Sequence, residues 1–116
     1  MKTESLFIQK AKREIAFHIG KNQEDNFEVI DKGSANDLWF HAKDVSSCHV
    51  VCVLPQDVDR KALCSIVKAG ALLCKNNTSK LKGLKNVEVI YTQIKNIIKT
   101  DVAGLVTTQN TKTIIC

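Results

Sequence analysis

The only tryptophan of the chain and two of its three histidines fall in one stretch, Asp37-Leu38-Trp39-Phe40-His41-Ala42-Lys43-Asp44-Val45-Ser46-Ser47-Cys48-His49. Three chemistries suit these residue types. An indole flanked by imidazoles can stack on an unpaired base, a contact worth about 1–3 kcal/mol that tolerates many base sequences. The same indole can instead cover a second layer of core, its N–H and the two imidazoles satisfied by internal hydrogen bonds. Lastly, His41, His49, Asp37, Asp44 and Cys48 include the donors of a metal site or of a Cys/His nucleophile pair. Spacing argues against that last reading, because nothing requires a third ligand at His18 or Asp37 and no His-x-Glu or Cys-x-x-Cys pair occurs. No metal, cofactor or catalytic residue is therefore expected.

These side chains need a scaffold that sorts them onto one surface. The apolar runs Leu38 to Ala42 and Val50 to Leu54 are separated by seven residues, too few for a parallel crossover, so they predict an antiparallel hairpin. Symmetry about Val45 sets His41 against His49, Phe40 against Val50, Trp39 against Val51 and Leu38 against Cys52. One face then carries Leu38, Phe40, Val50, Cys52 and Leu54 and seats a helix, while the other gathers Asp37, Trp39, His41 and His49. A slip of one residue would exchange the two faces, so the register is strongly specified.

Around the hairpin, Ile15, Phe17 and Ile19 alternate with Ala16 and His18, the period of a half-buried strand that Gly20 ends. Residues 22–31 predict a short helix capped by Asn22, burying Phe27 and Ile30 and closed by Gly33. A long helix is expected from Asp57 to about Lys75, with Val58, Ala62, Ile66, Ala69 and Leu73 on its buried side. Gly70 within it signals either a close backbone approach or a weak turn. Residues 76–86 read as a mobile basic loop, Val87, Val89 and Tyr91 as a strand, and Gly104 to Thr108 with Lys112 to Cys116 as a final hairpin turning near Gln109 and Asn110. The sum is an α+β fold, one largely antiparallel sheet packed against one long and one short helix.

At 116 residues, with 44% hydrophobic and 25% charged residues, the chain has the size and composition of one globular domain, 1–116, with no repeat or linker dividing it. The opening Met1-Lys2-Thr3-Glu4-Ser5 leads into few apolar residues before Lys10, Lys12 and Arg13, so neither a signal peptide nor a membrane span is expected. A cytoplasmic location follows as an expectation, in keeping with five cysteines, an odd number without close pairs, read as reduced and mainly core thiols. Cys48, beside His49, would have a lowered thiol pKa if that imidazole were protonated; otherwise it is a small residue filling a loop. Seventeen Lys and Arg against twelve Asp and Glu give a formal charge of +5, which favours polyanionic partners.

The run Asp37-Leu38-Trp39-Phe40-His41, followed by Ser47-Cys48-His49-Val50, resembles the signature of the NFACT-R family, the RNA-binding domain of the NFACT proteins of ribosome quality control. Upstream, Gly20-Lys21-Asn22 with Asn26 resembles that family's Gly-Lys/Arg-Asn…Asn segment, and the order of sheet, long helix and sheet agrees over nearly the whole chain. Ser47 and Cys48 stand where a small residue, often Gly, is usual. The family's Lys-Pro-Lys-Gly-like segment corresponds to Lys99-Thr100-Asp101-Val102-Ala103-Gly104, with little of its charge and none of its proline.

The resemblance implies a non-catalytic RNA-binding module, its partner tRNA or ribosomal RNA and the setting ribosome-associated. Lys21, Asn22, Asn26, Asp37, Trp39, His41, Lys43, Ser47 and His49 are its candidate contacts. Lys80, Lys82 and Lys85 join them from the most basic region, 75–99, where the alternative is an ordinary solvated lysine-rich loop. Two other readings stay open: a protein-interaction module docking on a ribosomal or RNA-processing partner through the Trp face or a sheet edge, and a His/Asp/Cys metal or thiol enzyme.

Overall fold

A computed structural model describes residues 1–116. Its centre is a six-stranded antiparallel sheet built from β1 (Lys2–Ile8), β2 (Arg13–Gly20), β3 (Leu38–Ala42), β4 (His49–Cys52), β5 (Glu88–Gln93) and β8 (Lys112–Ile115). The spatial order is β1-β2-β4-β3-β5-β8. A separate two-stranded sheet pairs β6 (Ile97–Lys99) with β7 (Val106–Thr108). The helices are α1 (Gln23–Lys32) and α2 (Arg60–Asn76). The expected α+β class and antiparallel sheet are what the fold displays.

The central hairpin has the register that its apolar alternation dictates, Leu38 opposite Cys52, Trp39 opposite Val51 and Phe40 opposite Val50. Its even face joins Ile15, Phe17 and Ile19 of β2 in the main core beneath α2. Ile66, Val67, Ala71 and Cys74 are the helix's buried contributions, and fully burying a side chain of such size stabilises by about 1.5–3 kcal/mol. Gly70 marks a close approach: a Cβ there would lie 2.4 Å from Cζ of Phe40. The helix starts later than Asp57, because Asp59 supplies the cap by accepting the Ala62 N–H at 2.8 Å, while Asp57 pairs with Arg13 at 3.3 Å.

On the opposite face lies a second, smaller core of Val29 and Ile30 from α1 with Trp39 and Val51 from the sheet, edged by Ile90, Ile94, Ile97 and Val106. The sheet is thus covered on both sides. Asn22 caps α1 as predicted, accepting the Asp25 N–H at 2.8 Å. Phe27 is only half-buried, its ring overlaid by the Lys99 ammonium 5.2 Å from the centroid.

Residues 2–8, for which the sequence predicts no element, form β1: Lys2, Glu4, Leu6 and Ile8 share its inner side, and the two charges pair at 2.9 Å, which masks the alternation. Two sequence expectations need correction. The last two strands do not form a hairpin. Thr92 Oγ1 hydrogen-bonds the carbonyls of both Gln109 and Asn110, and β7 turns to Ile97–Lys99 while β8 closes the far edge on β5. Finally, residues 76–86 are pegged to the body by buried Thr78 and Leu81 instead of hanging free as a mobile loop.

Candidate nucleic-acid interface

The surface proposed for Trp39 is the correct side of the sheet, but α1 covers it. Trp39 is 1% exposed and His49 2%: Val29 and Ile30 of α1 pack with the indole, and Asn26 of the same helix meets His49. The indole therefore cannot serve as an open stacking platform, and the second-layer-core reading of Trp39 holds. Its own stacking partner is His41, with ring centroids 5.6 Å apart and planes within 4°. Its N–H is donated to Nδ1 of His49 at 3.1 Å. His41 is half-buried and meets the His49 ring edge-on at 4.9 Å.

Burial first, and the neighbouring His41 second, bring the His49 pKa down to about 3. His41 is lowered by its own burial, with Lys80 adding to the effect. Both imidazoles are accordingly neutral near pH 7, and because His49 Nδ1 is an acceptor, its one proton sits on Nε2.

The residues of the Gly20-Lys21-Asn22…Asn26 segment each have a physical task. A Cβ on Gly20 would fall 2.7 Å from Asn26 Oδ1 and 2.9 Å from the Asp25 carbonyl, so only glycine lets the first turn of α1 lie against the ends of β2 and β4. Asn26 then accepts the backbone N–H of His49 at 3.0 Å. Asp37, proposed as an RNA contact, is buried, and both its oxygens are taken by backbone amides: Ser34 N–H at 2.9 Å and Leu54 N–H at 3.0 Å. Its place is architectural, tying the entry of β3 to the exit of β4. Ser47 accepts the Ala42 N–H and donates to the Cys48 carbonyl, fixing the β3–β4 loop.

Cys48 departs from the expected cause of activation. Its neighbour His49 is neutral, and the thiol is lowered by hydrogen bonding with Cys74, then by the Thr78 hydroxyl and nearby Lys21, with burial opposing. Cys74 is correspondingly raised by the shared hydrogen bond and by burial. All five cysteines are free thiols, and no three His, Cys, Asp or Glu side chains converge on a point.

Where α1 begins, the chain leaves an open groove of about 820 Å³ with almost entirely polar walls. Lys21, Asn22 and Asn26 enter it from α1 and the residues before it, Ser46 and Ser47 from the β3–β4 loop, and Asn77, Thr78, Ser79 and Lys80 from the end of α2. Of the twelve candidate contacts, Lys21, Asn22, Asn26, Ser47 and Lys80 therefore meet. Lys43 lies outside the walls with its ammonium 4.0 Å from Glu88, and Lys82 and Lys85 are exposed on the turn beyond Lys80. Sequence reasoning missed Ser46 and the Asn77-Thr78-Ser79 run, whose only local signal is three polar residues at a helix end. Lys99, in the segment already short of charge, is engaged by Asp31.

A groove lined by lysines, hydroxyls and amides beside a helix N-terminus, on an α+β domain whose sheet is covered on both faces, has the chemistry that suits an anion. The chain belongs to the NFACT protein RNA binding domain family, whose sequence model matches residues 5–110. It is 31% identical over 88 residues to coiled-coil domain-containing protein 25 of Danio rerio, covering 72% of this chain and 41% of that protein. Against its Mus musculus counterpart the identity is 34% over 92 residues, covering 72% and 40%. Among solved structures, the C-terminal part of the fibronectin/fibrinogen-binding protein from Streptococcus suis superposes with a TM-score of 0.77 at 27% identity, over 87% of this chain and 40% of that one. The chain thus spans about two fifths of the length of the relatives it matches. No helix is long and apolar enough to cross a membrane.

Proposed function

We propose that this domain is a non-catalytic RNA-binding module, acting in the cytoplasm on tRNA or ribosomal RNA, with the sugar–phosphate backbone lying in the groove between Lys21 and Lys80. The observation that carries the reading is the meeting of those two lysines, 59 positions apart in sequence, across a wall of amides and hydroxyls in which Glu24 is the one acid. Phosphate oxygens accept from all of these groups, and such contacts supply the sequence-independent part of nucleic-acid affinity. Family membership points to RNA as the polyanion.

Fluorescence anisotropy of labelled tRNA, single-stranded RNA and duplex DNA, each across a salt series, tests this. RNA affinity is expected to fall steeply with salt, and the Lys21→Ala/Lys80→Ala double variant to reduce the log–log salt slope by about 2. An unchanged slope in the double variant overturns the placement of the phosphates. Binding that is indifferent to salt favours docking on a protein partner.

A further inference from the structure

Next to the groove is a second pocket of about 440 Å³, a size typical of small-molecule sites, between the β3–β4 loop and the loop 100–105. The two share Gln23, Asn26, Ser46 and Ser47 as a common wall, yet their chemistry differs. The groove has Lys21 and Lys80. The pocket has no lysine, carries Asp44 at its edge, and is lipped by Val45, Val102 and Leu105, which are 42%, 58% and 54% exposed. A phosphate is repelled there, whereas an uncharged ring with two apolar faces is suited.

The inner wall is specific as well. Asn26 is 7% exposed and His49 2%, and each has its acceptor atom occupied within the fold: Oδ1 of Asn26 by the His49 backbone N–H, Nδ1 of His49 by the Trp39 indole. The His49 ring N–H turns back to the Asn26 backbone carbonyl, which leaves the Asn26 amide NH2 as the donor without an acceptor in the chain, and its nitrogen is not sealed from solvent. A fixed donor at the back of an apolar-lipped slot selects an acceptor-bearing edge. The upper lip is itself firm. Thr100 Oγ1 donates to the Leu105 carbonyl at 2.8 Å and accepts the Val102 N–H at 3.2 Å. Gly104, at φ +78°, rests on Gln23, where a Cβ would come within 3.1 Å.

We propose that this pocket receives one splayed-out nucleobase of the bound strand, held between Val45, Val102 and Leu105, with a ring carbonyl accepting from the Asn26 amide. The proposal rests on the groove holding the adjoining phosphates. It selects uracil, whose O4 and O2 accept freely, over adenine, whose edge acceptors N1 and N7 each lie beside the donating N6 amino group, and so opposes the order expected from stacking alone, where the larger purine face is favoured.

The test compares oligouridylate, oligoadenylate and an abasic sugar–phosphate strand of equal length by anisotropy. The wild-type chain is set beside Val102→Ser/Leu105→Ser, at exposed positions, and Lys21→Ala/Lys80→Ala. Oligouridylate is expected to bind about tenfold more tightly than the abasic strand, an advantage of the size of one base contact. The Val102/Leu105 variant should lose that advantage and the lysine variant should weaken both strands alike. Methyl signals of Val102 and Leu105 should shift with uridine monophosphate and stay in place with ribose 5-phosphate. Equal binding of the uridylate and abasic strands, a preference for oligoadenylate, or an advantage surviving in the Val102/Leu105 variant overturns the base pocket. If that happens while the lysines still matter, the phosphate groove stands; if the lysines have no effect either, both readings fall.

Discussion

Acidification tests the buried imidazole directly. In the folded chain His49 is neutral with its pKa brought down to about 3, whereas in the unfolded chain it regains the ordinary histidine value of 6.5. Below pH 6.5 the unfolded state therefore binds a proton that the folded state refuses, and stability must fall as pH falls. At 1.36 kcal/mol per pH unit, His49 alone removes about 2 kcal/mol between pH 6.5 and 5, and about 5 kcal/mol by the time pH reaches 3. At 2% exposure, solvent screening does little to reduce this. His41, also lowered, adds in the same direction over the upper part of the window. Urea unfolding followed by Trp39, the single and buried tryptophan, reads the change at pH 7.5, 6.5 and 5. The loss should begin as pH falls through the ordinary histidine value of 6.5, and His49→Asn, though less stable at pH 7.5, should flatten the slope. A stability that is level from pH 7.5 to 5, or a slope that His49→Asn leaves unaltered, refutes the buried neutral imidazole.

Gly70→Ala should destabilise by up to about 2 kcal/mol, since overpacking against the Phe40 ring costs about 1–3 kcal/mol and offsets the roughly 1 kcal/mol that alanine adds in an open helix. Urea midpoints of Gly70→Ala with and without Phe40→Leu measure it, and a net stabilisation by Gly70→Ala alone would contradict the close contact. Asp37→Ala should cost at least about 2 kcal/mol by stranding the Ser34 and Leu54 amides while leaving the RNA affinity of the folded protein within about twofold. Weakened binding at undiminished stability would return Asp37 to the interface.

The hairpin was legible because its alternation has one consistent solution: Phe40 and Val50 on one side, Trp39 and Val51 on the other. What alternation could not reveal is whether the second side meets water. That depends on α1 folding over it, which in turn depends on Gly20 admitting Asn26, a contact between segments that no local period encodes. The same limit explains β1, where Lys2 and Glu4 neutralise each other on the inner side and hide a strand, and β7, whose partner lies at Ile97–Lys99 instead of in the next apolar run. For the groove, the residues near α1 were found through their pattern. Asn77, Thr78 and Ser79 were not, since only the length of α2 carries them back to Lys21.

The buried Trp39–His49 pair and the open groove are parts of one device. Trp39 occupies Nδ1, which forces the His49 proton to Nε2, and Asn26 holds the His49 backbone while forming the wall common to groove and pocket. The signature residues then divide by depth. Asp37, Trp39 and His49 build the support, Asn26 reaches from it into the wall shared by groove and pocket, and Lys21 and Lys80 stand at the solvent boundary. Substitutions in the first group should therefore act through stability and those in the last through salt-dependent affinity, because a buried hydrogen bond and a solvated ion contact respond to different variables.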